Sequence, residues 1–456
     1  MEKQREEVGA AVELISKELV KPMTTKGGEG IPDHPKTHAL SIFDQLVPPF
    51  GVPIIFFYRP APSPATSSSS RTSLLKASLA ATLYDYYPLA GRMGDGGTSL
   101  VIDCNDEGAL FLEARVGSSL SEFLRQNAAS GDELLDQLFV SYGLGPEINS
   151  IPLAVKVTSF GCGATAVCAS FAHRVLDMAG FSYFLGTWAA KAAGVSHENS
   201  PPEFNLGALY PPANNFPAAP TMFSPPPGAV SRPAHARIVF GQSKVEALKQ
   251  AAKSEQVQNP TTAEAVTALI SVTAVKSAAV LNNLNPSKVT QPVNLRGRVS
   301  PPLGESAMGN FISHYAVTSE AALARVVSEI RKEKSRLLGA VQGMDKEGLR
   351  LREIKAAEAK QLQPPSSAQV QQYYTVGSWC RFGLYDTDFG WGNPVWVVPG
   401  TKDWWNTAVL LDKPRGDGLG RRIEVAFTLD AAQMNVFLRD QDLLAYGLVN
   451  PNALDV

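Results

Sequence analysis

Cysteine is scarce in this 456-residue chain, and its placement excludes more than its number does. Cys104, Cys162, Cys168 and Cys380 are scattered without C-x-x-C spacing. Neither a disulfide framework nor a zinc site is expected, and the thiols read as reduced and mostly buried. Histidine is equally sparse: apart from His173, the residues His34, His38, His197, His235 and His314 have no ligand spacing among them, so no metal is expected. Charge of one sign is also lacking. The 41 Lys and Arg nearly balance 43 Asp and Glu, the net charge is -2, and no long basic block occurs. That argues against nucleic acid or an anionic membrane as the main partner and leaves a small molecule. The N-terminus mixes acids and bases where a secretory signal would be continuously apolar, and no run approaches the length of a membrane span. A cytoplasmic protein, acting as a monomer, is the expectation.

What is present is enough apolar material, 44% of the residues, for more than one core. Strand and helix patterns alternate along the chain, which indicates an α/β protein. Residues 196–233 are so rich in proline, with Pro201-Pro202, Pro211-Pro212 and Pro225-Pro226-Pro227 among them, that regular helix or central strand is excluded. This crossover divides a first domain, residues 1–195, from a second, residues 234–456. In the first, residues 52–58 read as a strand, the Ala-Pro-Ser-rich residues 60–70 as a surface loop and residues 74–84 as a helix. In the second, residues 236–240 read as a strand. A helix from Ser243 turns Val245, Leu248 and Ala252 inward and Lys244, Lys249 and Lys253 outward.

The chemistry is announced by His173-Arg174-Val175-Leu176-Asp177. Residues 164–172 before it are small and apolar with Val and Phe, a buried strand, and after it Phe181, Phe184, Leu185 and Trp188 recur at helical spacing. The motif therefore occupies a strand-to-helix turn. A histidine there suits removal of a proton from an attacking alcohol or amine. If residues 173–177 were already helical, Asp177 would share a face with His173 and could hold the imidazole; in an open turn it could cap the helix or pair with a cation. No G-x-S-x-G elbow offers a serine nucleophile.

A second pentapeptide, Asp388-Phe389-Gly390-Trp391-Gly392, lies far downstream. Its first three residues match the magnesium-binding D-F-G of protein kinases, but none of the companion kinase motifs accompanies it. Two glycines around a tryptophan suggest instead a tight turn carrying a large buried ring, ahead of a strand over residues 394–398. Arg415-Gly416-Asp417-Gly418-Leu419-Gly420 looks like a phosphate loop but precedes a strand, residues 422–429, rather than a helix, so a hairpin turn is expected.

Together these segments resemble the BAHD family of plant acyltransferases, whose signatures are H-x-x-x-D in the middle and D-F-G-W-G near the C-terminus. The similarity runs through nearly the whole chain. It includes residues 41–45 (SIFDQ), 87–92 (YPLAGR), 293–298 (VNLRGR) and Met308-Gly309-Asn310, and it is nearest to the branch containing vinorine synthase and salutaridinol acetyltransferase. The resemblance implies two chloramphenicol-acetyltransferase-like α/β domains with mixed sheets and a channel at their interface. It implies acyl transfer from an acyl-CoA co-substrate, with acetyl-CoA expected, to a hydroxyl of a plant specialised metabolite such as an alkaloid, with no permanently bound cofactor. Amide formation from an aromatic acyl-CoA and an amine is the rival activity, and a catalytically silent ligand-binding homologue the rival from another class.

By the same resemblance His173 is the base, Asp177 pairs with Arg296 and Asn310 stands beside the histidine. Asp388, Gly390, Trp391 and Gly392 are structural. Lys244 and Lys249 are candidates for the CoA phosphates, and His38, Ser378 and Trp379 for lining the acceptor side and reaction centre. Thr262 and Ser271 depart from the family pattern, where many relatives carry Arg and Trp.

Overall fold

In the computed structural model, which describes residues 12–23, 34–60, 68–130, 133–141, 144, 146–196, 200–213, 231–282, 287–319, 322–342, 373–414 and 421–451, alternate residues of the strand Thr165–Ala172 enter two different cores. All eight are buried. Val167, Ala169 and Phe171 face one apolar cluster, while Ala166 and Cys168 face another, as the two-residue period of a strand requires when both faces of its sheet are covered. The adjacent strand Gly51–Tyr58 divides in the same way, with Ile54, Phe56 and Tyr58 on one side and Ile55 and Phe57 on the other.

These two strands are central to a six-stranded mixed sheet, ordered Glu13–Val20, Ala109–Val116, Leu153–Phe160, Thr165–Ala172, Gly51–Tyr58 and Trp396–Pro399. The helices Ser68–Asp85 and Met178–Ala193 contribute to one of its cores and Leu120–Ser130 to the other. A seven-stranded mixed sheet forms the second half, in the order Ile312–Ser319, Ser287–Asn294, Tyr373–Ser378, Thr407–Pro414, Arg421–Asp430, Pro233–Phe240 and Leu448–Val449. A small third sheet joins Thr37–Ala39, Val101–Asp103 and Arg92–Met93. The strand Trp396–Pro399 comes from the second half of the chain yet completes the edge of the first sheet, pairing antiparallel with Gly51–Tyr58.

Three expectations need correction or qualification. The helix Thr262–Asn282 contains a 20-residue stretch, Thr262–Leu281, long and apolar enough by composition to cross a membrane. The expectation that no run reaches that length is overturned. Many of its Ala, Val, Thr and Ser side chains pack into the core of the second half, where residues from Ala265 to Ala278 other than Lys276 are buried. A four-residue helix, Leu206–Leu209, forms inside the proline-rich crossover, in the gap between Pro202 and Pro211 where prolines do not interrupt the backbone. Residues 61–67, 214–230 and 415–420 lie outside the described residues, so the loop at 60–70, most of the crossover and the turn at 415–420 are described only at their ends. The strands flanking that turn pair antiparallel, with Pro414 opposite Arg421.

Candidate active site

The helix Met178–Ala193 begins where the motif ends. Asp177 is its N-cap, in extended conformation, and Oδ1 accepts the backbone N–H of Gly180 at 2.9 Å. An open turn, not a helical one, therefore carries residues 173–177. The second carboxylate oxygen accepts Nη1 of Arg296 at 2.7 Å and the backbone N–H of Phe311 at 2.9 Å. Arg296 is as fully engaged as its partner: Nε and Nη2 donate to the carbonyl of Ala307, Nη2 also to Gly309, and Nη1 also to Oδ1 of Asn294. With side chains 0% and 3% exposed, this pair meets the condition under which a buried ion pair is tolerated, namely that the remaining donors and acceptors are satisfied. It also joins the two halves of the chain.

His173 stands at the end of its strand, partly buried, with its ring edge-on to Phe50 at 5.1 Å between centroids and near Phe171 at 6.1 Å. Its backbone N–H donates to the carbonyl of Phe50, and its carbonyl accepts Nδ2 of Asn310 at 2.6 Å. Nδ1 is sealed from solvent without a hydrogen-bond partner, as is Oδ1 of Asn310. Burial holds the imidazole below its ordinary pKa, against smaller opposing contributions from its own carbonyl, Asp177 and Asn310, while His314 adds to the lowering. The ring is thereby biased toward the neutral form that can accept a proton. Asp177 acts on it through charge alone, since both of its oxygens are committed elsewhere.

Asn310 is held in turn by Asp44. Both its backbone N–H and its Nδ2 donate to Oδ1 of Asp44 at 2.8 Å. The other oxygen of Asp44 accepts the backbone N–H and the hydroxyl of Ser41 at 2.7 and 2.6 Å, completing a capping box on the short helix Ile42–Gln45. Burial pushes the Asp44 carboxyl up to about 6 in spite of these donors. Gly309, at φ +119°, lets the backbone pass where a Cβ would meet the Leu206 side chain at 2.8 Å.

A cleft opens beside the base, with Phe50, Gly51, Met93, Phe171, Arg174 and Trp404 among its walls. Arg174 is buried and donates to the carbonyls of Val47 and Thr98. His38, on the strand Thr37–Ala39, is buried edge-on against Phe204, and burial lowers it to about 4. Ser378 ends the strand Tyr373–Ser378 and bonds toward Cys380, and Trp379 packs on the core of the first sheet.

The D-F-G-W-G segment is built around one oxygen: Oδ1 of Asp388 accepts the backbone N–H groups of Gly390, Trp391 and Gly392 at 2.8, 3.0 and 2.8 Å. Both glycines have φ near +98°. Phe389 is the fully buried ring, edge-on to Trp188 at 4.8 Å, whereas Trp391 is only partly buried, with Arg71 5.0 Å from its ring. The buried ring expected at Trp391 thus belongs to its neighbour.

Of the two candidate CoA lysines on the helix Gln242–Ala251, Lys244 donates to the carbonyl of Ala445 and Lys249 pairs with Glu246 at 3.2 Å. Other cations influence one another elsewhere, around Lys334, where Arg331 is paired with Glu264 at 2.5 Å. Burial lowers Lys334; Glu264 opposes this, while Arg298, Arg381 and Arg331 reinforce it. This cluster and Asp44 were missed in the sequence. Ser41-x-x-Asp44 could have been read as a capping box, but Arg331 and Lys334 look like solvated charges in a Lys- and Glu-rich helix. Ser271 bonds back to the carbonyl of Thr267, and Thr262 opens the helix Thr262–Asn282. His34 stacks on Tyr87 and contacts Asp106, and His235 lies by Thr428; His197 falls outside the described residues.

The profile of the Transferase family matches residues 10–444. Epi-neemfruitin B synthase of Melia azedarach is 34% identical over 97% of this chain and all of its own length. Stemmadenine O-acetyltransferase of Catharanthus roseus is 35% identical over 91% of this chain and 94% of its own. The crystal structure of vinorine synthase superposes with a TM-score of 0.75 at 28% identity, covering 97% of this chain and all of that one.

Proposed function

Because the chain belongs to the BAHD family of acyl-CoA-dependent acyltransferases, we propose that it transfers an acyl group, with acetyl expected, from coenzyme A to a hydroxyl of an alkaloid-type plant metabolite. His173 serves as the general base. The observation that carries this reading is the environment of His173: an imidazole biased toward neutrality by burial, between the cleft-lining residues Ala172 and Arg174, near a carboxylate whose oxygens are taken by Gly180, Phe311 and Arg296.

With Nδ1 sealed, Nε2 is the nitrogen that takes the hydroxyl proton as the alkoxide oxygen attacks the thioester carbonyl. The tetrahedral intermediate then collapses, the C–S bond breaks, and the imidazolium returns the proton to the CoA sulfur. Acyl-CoA and acceptor must be bound together, because no enzyme nucleophile carries the acyl group between them.

The phosphates of coenzyme A require several cations close together. The cations around Lys334, namely Arg298, Arg331 and Arg381, support that role by their number, although Arg331 is paired with Glu264 and Arg298 donates to the Asn294 carbonyl. Arg298 lies two residues beyond Arg296, on the same turn that reaches Asp177.

Incubating the purified protein with a panel of acyl-CoAs and plant alcohols and amines, followed by mass spectrometry, tests the proposal. An ester formed by the wild type and not by His173→Ala supports it. Binding without turnover for every acyl-CoA would make the chain a silent binding homologue, and an amide product would move the acceptor to nitrogen.

A further inference from the structure

Asp44 is a buried carboxylate that a four-residue helix does not explain. Capping the helix Ile42–Gln45 uses only one of its oxygens, through Ser41. The other is devoted entirely to Asn310, which comes from the second half of the chain. Asn310 is completely buried, and its Nδ2 is shared between Asp44 at 2.8 Å and the His173 carbonyl at 2.6 Å. Those two bonds need two N–H donors from one nitrogen, so they fix the amide in a single flip. They also leave its Oδ1 without a partner, and a buried unsatisfied acceptor has a cost.

We propose that Asp44 is a positioning residue for acyl transfer: its carboxylate orients the Asn310 amide, and that amide holds the backbone of His173 where the imidazole meets the acceptor hydroxyl. The proposal rests on His173 being the base. Burying an anion is unfavourable unless its hydrogen bonds compensate. Here the Asp44 carboxyl is raised to about 6, so the four accepted bonds do not fully offset its desolvation. A group kept at such a cost beside a base suits orientation more than stability. Arg174, on the turn after the strand Thr165–Ala172, is the cation facing Asp44; Asp177 and His314 are the titratable groups facing His173. Below pH about 6 the carboxyl gains a proton and one accepted bond is lost.

Steady-state kinetics of Asp44→Asn, Asn310→Ala and the double variant, with His173→Ala alongside, decide the matter. Asp44→Asn is expected to lower kcat on the order of tenfold, since small displacements of a reacting group are amplified in rate, with both KM values within about twofold. If Asp44 acts through Asn310, the double variant falls no further than Asn310→Ala alone, and in both single variants the acid limb loses the component near pH 6 that Asp44 contributes and keeps the one set by protonation of His173. Multiplicative losses, or a folded Asp44→Asn with wild-type kcat, overturn the proposal. Should Asp44→Asn fail to fold, an unchanged acid limb in Asn310→Ala overturns it, and a displaced limb supports it. Activity retained by His173→Ala would instead refute the base on which the proposal stands.

Discussion

Replacing Asp177 with asparagine is expected to damage stability more than chemistry. The carboxylate caps the helix Met178–Ala193 through Gly180 and neutralises Arg296 in a fully buried site. Asparagine caps nearly as well, so that contribution survives; alanine would lose about another 1 kcal/mol. What disappears in Asp177→Asn is the charge, leaving a buried guanidinium whose remaining partners are the carbonyls of Ala307 and Gly309 and the amide of Asn294. Removing one partner of a buried pair costs about 3–5 kcal/mol. At roughly 2–4 °C per kcal/mol for a unit the size of one half of this chain, the apparent Tm should fall by about 6–20 °C. Differential scanning fluorimetry gives that shift, and acyl-transfer rates measured well below the lowered Tm give kcat of the folded enzyme, expected within tenfold of wild type. A Tm within about 1 °C of wild type, together with a kcat loss as large as that of His173→Ala, would refute the reasoning and put Asp177 on the imidazole.

His173→Ala itself should retain the wild-type circular dichroism spectrum and lose acyl transfer by on the order of 10²–10⁴-fold, the usual contribution of a positioned base; near-normal turnover removes it from the mechanism. Intact-protein mass spectrometry with acyl-CoA and no acceptor should show no acyl adduct, and parallel double-reciprocal lines with a trapped acyl-cysteine or acyl-serine would overturn the ternary complex. Lys334→Glu should raise KM for acyl-CoA at least about tenfold and leave the acceptor KM nearly unchanged, while Lys249→Glu changes both little. The reverse ranking would return the phosphates to the helix Gln242–Ala251. His38 is lowered to about 4 by burial, so the folded state binds its proton less readily than the unfolded chain, whose histidine titrates near ~6.5. That contribution is present above pH ~6.5 and is lost as pH falls toward 4, by roughly 3 kcal/mol. The Tm of wild type should therefore drop relative to His38→Gln across that range, and a constant difference between the two would contradict it.

The fold was legible wherever periodicity coincided with burial. The strand ending at Ala172 and the stripe Phe181, Phe184, Leu185 and Trp188 occur where the apolar spacing put them, because two covered sheet faces and one helix face leave little choice of pattern. The partners of Asp177 were a different matter. From spacing alone the carboxylate could face the imidazole or a cation; the choice depends on Arg296, 119 residues away, and only a family resemblance pointed to it. Asp44 and Asn310 are separated by 266 residues, and no local signal ties a capping box to a turn in the other half. The cations around Lys334 escaped notice for the opposite reason, since charged residues on a helix look alike whether or not the fold gathers them.

The two signature pentapeptides meet at different ends of one helix. Asp177 caps the start of Met178–Ala193, and Trp188, against which Phe389 packs, stands about 16 Å along the axis at 1.5 Å per residue. Farther on, a Cβ on Gly390 would meet the Cα of Ala193 at 3.2 Å, so the second motif rests on the last turn. The Asp388 carboxylate satisfies the backbone of its own turn, and Tyr58 reaches from the first sheet to the Thr387 carbonyl. Thus the D-F-G-W-G turn clamps the far end of the helix, while the Asp177–Arg296 pair anchors the near end to the second half. The strand Thr165–Ala172 stops five residues short of Asp177, the cap of that helix. His173 is the first residue beyond that stop, which is how a motif well removed from the base bears on where it stands.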